Sequence, residues 1–281
     1  MTESSDVVGF IGLGSQGWGM ARALVDSGIP TVLWARRPEA LDQYRDSSAT
    51  FASSAADLAA QCDVIGVCVL DDAAVRAVVL DPDGVLDGAR PGSVIVIHST
   101  VLPETIHEVA AAARAKGVDV LDAPVSGGGQ MAAERKLLVI VGGDQAVLDR
   151  CLPMLATFGE HVIRVGDLGA GQLAKLVNNV MMAANLGLGN DALNLGEGFG
   201  LDRLQLAQVL GVGSGRTYAL SVIANMGGTV APIQSTAGPL LRKDVGLVEA
   251  TAQRAGASTG ILIAAADVGL VALANERSQE T

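Results

Sequence analysis

Val7-Val8-Gly9-Phe10-Ile11-Gly12-Leu13-Gly14-Ser15-Gln16-Gly17 sets an apolar run of strand character directly against a glycine-spaced turn, and helical spacing follows over 16–27. Each glycine of such a strand–turn–helix junction has a physical use. The first permits the tight turn, the second lets phosphates approach the backbone, and the third lets the helix pack on its strand, with the positive helix end toward a pyrophosphate. Gly12, Leu13, Gly14, Ser15, Gln16 and Gly17 are therefore candidate dinucleotide contacts. A glycine turn without a ligand is the alternative, and the preceding strand weighs against it.

Further along, β-branched runs over 31–34, 64–69, 94–97, 118–121, 137–141 and 162–165 alternate with helix-like segments over 57–60, 73–80, 103–116 and 145–157. That alternation predicts a doubly wound parallel sheet. After Gly169 the β-branched runs stop. Leu173, Leu176, Val177, Val180, Met181, Ala184 and Leu188 recur at helical spacing, predicting a helix over 172–195 on the order of 35 Å long. The fold class expected is an α/β Rossmann-type domain over 1–165 followed by an all-α domain over 166–281, joined by this long interdomain helix, with 166–171 as the hinge. The apolar stretch 260–274 is shorter than the ~20 residues a bilayer needs and carries Asp267, so it reads as a buried or subunit-interface helix.

The second strand ends in Trp34-Ala35-Arg36-Arg37, where a site selective for NAD would usually place a carboxylate on the ribose 2′-hydroxyl. Two guanidiniums there suit a 2′-phosphate, so Ala35, Arg36 and Arg37 point to NADP in preference to NAD, unless the pair is only an exposed basic loop. A net charge of −11 opposes nucleic acid and anionic membrane as partners. The three cysteines, an odd number in apolar stretches, suit reduced thiols and a cytoplasmic setting, and the polar, acidic start at Met1–Asp6 does not read as an export signal. His98, His107 and His161 are scattered and imply no metal.

Three further segments bring a family into view. Gly9-Phe10-Ile11-Gly12-Leu13-Gly14-Ser15-Gln16-Gly17 resembles the first signature of the β-hydroxyacid dehydrogenases. Asp122-Ala123-Pro124-Val125-Ser126-Gly127-Gly128 is similar to their substrate-binding motif, and Gly169-Ala170-Gly171-Gln172-Leu173-Ala174-Lys175-Leu176-Val177-Asn178-Asn179 to their catalytic one. Lys243-Asp244 resembles a motif of their C-terminal domain. The resemblance implies an NAD(P)-dependent dehydrogenase of a short 3-hydroxy acid or its semialdehyde, of the 3-hydroxyisobutyrate type, assembled as a homodimer or homotetramer. It also implies that Lys175 assists proton transfer, that Asn179 orients the substrate, and that Lys243 closes the site. Val69, Leu70 and Thr100 are counted with Lys243 among the cofactor contacts, Thr100 following Ser99 where the family places Ser-Thr beside the nicotinamide.

The residues read the same way on their own chemistry. Lys175 and Asn179, four apart on a helix, share a face and can meet one hydroxyl. A lysine on an apolar helix is costly unless used, and burial beside an oxidised nicotinamide would lower its pKa toward proton exchange near neutrality; a snorkelling lysine is the alternative. Ser126, Gly127 and Gly128 offer a hydroxyl and unhindered amides to a carboxylate. Lys243-Asp244 is otherwise a surface ion pair. Thr236 falls where many relatives carry a phenylalanine, and Gln16, Met131, Arg135 and Lys136 also depart from the family pattern. These departures mark either a pocket for a bulkier substrate or drift on a solvated loop. An imine reductase and a noncatalytic NADP-binding protein are the competing functions. Lys175 argues against the first, and the set Ser126, Lys175, Asn179 and Lys243 against the second.

Overall fold

The computed structural model describes residues 6–274, so Met1 and the four residues after it, which carry most of the non-export reading, lie outside the described residues. The chain divides into two compact units, one through Lys175 and the other from Leu176.

The first unit opens with β1 (Val8–Ile11), α1 (Gly17–Asp26), β2 (Thr31–Trp34), β3 (Thr50–Phe51), α2 (Ala55–Gln61), β4 (Val64–Val67), α3 (Asp72–Val79) and α4 (Val85–Gly88). It continues with β5 (Val94–Ile97), α5 (Pro103–Arg114), β6 (Asp119–Asp122), β7 (Val125–Ser126), α6 (Gly128–Ala133), β8 (Leu137–Gly142), α7 (Gln145–Leu155) and β9 (Gly159–Gly166). Strands β1, β4 and β5 are buried along their whole length, as parallel strands covered by helices on both faces must be. Their order, β3-β2-β1-β4-β5-β6, reverses direction of growth between β1 and β4, and ligands bind such sheets at the strand ends of that switch point.

The sheet is not parallel throughout. β8 runs antiparallel to β6 and β7, and β9 then pairs parallel with β8. A parallel crossover needs a dozen or more residues, usually a helix lying on the sheet, and α6 has only six. The runs β3 and β7, two residues each, are too short to leave a strand pattern in the sequence.

One buried group in the sheet has a consequence for acid stability. His98, 2% exposed, stacks on Phe10 at 5.9 Å and meets the edge of Phe158 at 5.5 Å. Its Nδ1 lies 2.8 Å from the Ala123 carbonyl oxygen, which can only accept, so the proton sits on Nδ1 and Nε2 is left buried with no hydrogen-bond partner among the described residues. Burial pushes the imidazole down from 6.5 to about 4, against the pull of that carbonyl. The unfolded chain therefore binds a proton that the native fold refuses. Stability attributable to His98 is full above pH 6.5, declines as pH falls toward 4, and is then constant, a loss of about 3 kcal/mol. Urea unfolding of wild type and His98→Asn across this window checks it: the wild type should lose more stability on acidification. Parallel curves would contradict the assignment. The difference isolates His98, because Asp122, shifted the opposite way, is common to both proteins.

The second unit is helical. The long α8 (Ala170–Gly198) runs through the division of the chain, followed by α9 (Arg203–Val212), α10 (Tyr218–Asn225), α11 (Gln234–Ala255) and α12 (Leu262–Ala274). Asp202 and Thr217 cap α9 and α10 by accepting the Gln205 and Leu220 amides. Leu176, Val180, Ala183, Ala184 and Leu186 of α8 are buried, the last four with Ala266, Leu270 and Leu273 of α12 in one apolar cluster. The other apolar residues of α8, Leu173, Val177, Met181, Leu188 and Leu195, are exposed and fall within about 80° of arc. Helical spacing was right for α8, but its apolar residues face two ways. The loop expected as a hinge belongs wholly to the first unit, where the Gly169 amide donates to Asp122 at 2.7 Å. Among the described residues no helix is long and apolar enough to cross a membrane.

Candidate active site

The glycine loop after β1 has the three properties its spacing predicts. Gly12 turns at φ +97°, and a Cβ there would lie 2.1 Å from the Cys68 carbonyl oxygen. A Cβ at Gly17 would lie 1.8 Å from the Gly12 oxygen, so α1 starts in backbone contact with the turn. Gly14 is exposed and has nothing within 4 Å of a Cβ, which leaves room where a pyrophosphate must approach. The N-cap of α1, Gln16, makes no side-chain cap; the Trp18 amide donates to the Gly14 carbonyl at 3.0 Å, and no side chain of the cap competes with an anion for the other first-turn amides. These features fit a dinucleotide.

Other expected cofactor residues sit on neighbouring strand ends. Leu13 is buried and Ser15 exposed, and Ala35, Arg36 and Arg37 follow β2, with both arginines exposed. Past β4, the Val69 amide donates to the Ser99 hydroxyl at 2.8 Å, Leu70 is exposed, and Thr100 is half-buried after β5.

Ser126 lies on β7 opposite Leu138, and Gly127 (φ +137°) and Gly128 (φ +82°) turn the chain into α6. A Cβ at the next residue, Gly129, would lie 2.3 Å from the Ser15 oxygen, so the expected substrate turn is held against the cofactor loop. Met131 packs on the apolar core, whereas Arg135 and Lys136 are exposed and Lys136 pairs with Glu134 at 2.9 Å. At those two positions the solvated-loop reading fits better.

Two side chains assigned no role above, Asp122 and Gln172, hold the start of α8. The Asp122 carboxylate, at the end of β6, accepts from the Gly169 amide at 2.7 Å and the Gln172 amide at 2.8 Å. Burial raises its pKa above the usual 3.8, opposed by those donors. The Gln172 side chain accepts from the Val101 amide at 3.0 Å and donates to the Ser99 carbonyl at 2.9 Å. A carboxylate ending an apolar run was the available signal, because a buried Asp must find donors.

Lys175 is buried, 7% exposed, not extended into solvent as a snorkelling lysine would be. Asn179 follows one turn later on α8, also buried. In the second unit its Nδ2 donates to Asp244 Oδ2, and its Oδ1 accepts from Asn178 at 3.0 Å. Asp244 is 4% exposed and its Oδ1 lies 3.1 Å from Lys243 Nζ. The Lys243-Asp244 pair is thus no surface pair: the buried carboxylate ties α11 to Asn179. Thr236, near the start of α11, is exposed. The described residues contain no cluster of three or more side chains able to hold a metal.

Comparison with known proteins accounts for both units. Residues 7–166 match the family described as the NAD binding domain of 6-phosphogluconate dehydrogenase. Residues 169–280 match the NAD-binding family of NADP-dependent 3-hydroxyisobutyrate dehydrogenase. The chain is 34% identical to a 3-hydroxyisobutyrate dehydrogenase of Pseudomonas aeruginosa over 90% of its length and 87% of the relative's. It is likewise 34% identical to the 2-(hydroxymethyl)glutarate dehydrogenase of Eubacterium barkeri, over 78% and 72% of the two chains. The solved structure of Mycobacterium tuberculosis 3-hydroxyisobutyrate dehydrogenase with L-serine superposes with a TM-score of 0.83 at 29% identity, covering 96% and 94% of the two chains. The glycine loop on its strand, the mixed sheet and the long α8 thus have one explanation: this chain belongs to the 3-hydroxyisobutyrate dehydrogenase family of NAD(P)-dependent hydroxyacid oxidoreductases.

Proposed function

We propose that the chain interconverts a short carboxylate bearing a 3-hydroxy group and its semialdehyde, with NADP(H) preferred to NAD(H), and that Lys175 is the general acid/base. The observation that carries this reading is Lys175 itself, a buried amine on α8 one turn before an asparagine whose amide is held on both sides. As the neutral amine, Lys175 Nζ takes the proton from the substrate hydroxyl; as the ammonium, it returns that proton to the carbonyl oxygen. A bound nicotinamide would accept or supply the hydride at the carbon that bears this oxygen. Asn179 spends one amide N–H on Asp244 and directs the second at the substrate oxygen. Ser126, with the Gly127 and Gly128 amides, grips the carboxylate. Lys243, oriented by Asp244, supplies a cation from α11.

The names of the relatives narrow the substrate. Both 3-hydroxyisobutyrate and 2-(hydroxymethyl)glutarate are carboxylates with a hydroxymethyl group on the α-carbon, and the second carries a longer arm. Thr236, small where the family resemblance implies phenylalanine, favours the longer kind. Arg36 and Arg37 favour the 2′-phosphate. Steady-state oxidation of hydroxymethyl acids of increasing size, with NADP and NAD, tests these assignments together. Larger acids should have the higher kcat/KM, and Arg36→Ala/Arg37→Ala should weaken NADP use by about 100-fold while leaving NAD use nearly unchanged. Preference for the smallest acid removes the role given to Thr236. An unaltered cofactor ratio in the double variant removes that given to the arginines.

The exposed apolar stripe of α8 lies on the opposite side of the helix from Lys175 and Asn179 and suits a second copy of the chain. Light scattering should return the mass of two or four chains, and the mass of one chain would contradict the assembly. The three cysteines, none paired in a disulfide, suit a reducing cytoplasm.

A further inference from the structure

We propose that Asp122 and Gln172 are positioning residues for proton transfer, a clamp that fixes the helical turn carrying Lys175 against the carboxyl ends of β4, β5 and β6. The inference rests on Lys175 as general acid/base. A helix start ordinarily has its free amides satisfied by a side chain at its own N-cap, which steadies the helix without tying it to anything else. The residue before α8 is Gly169, which has no side chain to offer. The carboxylate that takes the Gly169 and Gln172 amides comes from Asp122, at the end of β6, 47 and 50 residues away. A cap borrowed from the sheet locks the helix to the sheet.

Gln172 closes the other side. Its amide bridges the Ser99 carbonyl and the Val101 amide, and the Ser99 hydroxyl accepts from Val69. One chain of hydrogen bonds therefore runs from the loop after β4, past β5, into the first turn of α8. Gly171 adds a steric stop. It lies four residues before Lys175 on the same face, and a Cβ there would stand 2.7 Å from both Asp122 Oδ2 and the Ile140 oxygen. The turn below Lys175 cannot rotate or slide without breaking these bonds or striking β8. Proton transfer depends on distance so steeply that a 1 Å error can cost about 100-fold.

The test is a pair of double-mutant cycles. Asp122→Asn keeps the shape but faces one of the two amides with an N–H, and Gln172→Met keeps the length but removes both polar ends. Each is made alone and with Lys175→Ala; turnover is measured with enzyme in excess, NADPH affinity by fluorescence, and folding by thermal melting. Each single variant should lower the rate by about 10- to 100-fold with NADPH affinity within about twofold, and that loss should vanish when Lys175 is already absent. Equal losses in both backgrounds, an unchanged rate, or a matching loss of NADPH affinity would overturn the inference and leave the acid/base reading standing. Wild-type turnover by Lys175→Ala alone would remove both. If Asp122→Asn does not fold, the Gln172→Met cycle decides.

Discussion

Lys175→Ala is expected to lower kcat by about 100- to 10,000-fold while changing NADPH affinity by no more than a few fold. The size follows from what the proposed mechanism asks of this side chain: a proton must leave or reach the substrate oxygen as hydride moves, and a positioned acid/base contributes on the order of 100- to 10,000-fold. Any change in stability should be modest beside the loss of kcat, within about 2 kcal/mol. That separates chemistry from architecture. A structural lysine would lose Tm and activity together when truncated, and arginine, permanently charged, could then stand in for it. Here Lys175→Arg should remain as inactive as Lys175→Ala, since a guanidinium does not give up its proton near neutrality. Steady-state kinetics, NADPH fluorescence titration and thermal melts on the two variants check the pattern. Wild-type turnover in either variant would end the general acid/base assignment.

Local features were legible in the sequence, and features made by chain return were not. The turn from Ile11 to Gly17 is written in adjacent residues, and the glycines behave as the spacing demands. The four-residue cores of β1, β2, β4 and β5 could be read because apolar runs buried on both faces leave no alternation to confuse. The reversal of β8 could not, since it goes with the short connection through α6, which no run of apolar residues marks. In α8 the same apolar spacing served two faces, one buried and one exposed, and periodicity cannot say which surface meets a partner.

The site divides along the same line. Lys175 and Asn179 could be paired by counting along a helix. The tie between Asn179 and Asp244 spans 65 residues, and those from Asp122 to Gly169 and Gln172 span 47 and 50. For Asp122 the only hint in the sequence is a carboxylate ending an apolar run; Asp244 read as half of a family-like Lys243-Asp244 motif or a surface ion pair, with nothing to mark it as buried. Each turned out to hold α8 at a different turn, Asp122 at its start and Asp244 through Asn179, with Lys175 between them in the chain.

The second large effect is expected at the glycine loop, as a contrast between two substitutions of the same size. Gly12→Ala puts a Cβ 2.1 Å from the Cys68 carbonyl oxygen at φ +97°, so the turn between β1 and α1 must move away from β4. That should cost about 2–4 kcal/mol of stability, lowering Tm by several degrees, and raise the NADPH Kd by 100-fold or more, on the order of 3 kcal/mol. Gly14→Ala has nothing within 4 Å of its Cβ and an unremarkable φ, so Tm should stay within about 1 °C. Its methyl group, however, would fill the space through which the pyrophosphate reaches the backbone, and NADPH Kd should still rise more than about tenfold. Thermal melts with fluorescence titrations on both variants read the two quantities separately. Affinity lost at Gly12 only, in step with Tm, would make the loop a structural turn. Affinity lost at Gly14 without loss of stability puts the phosphates against that backbone, since the added methyl has no protein atom to disturb.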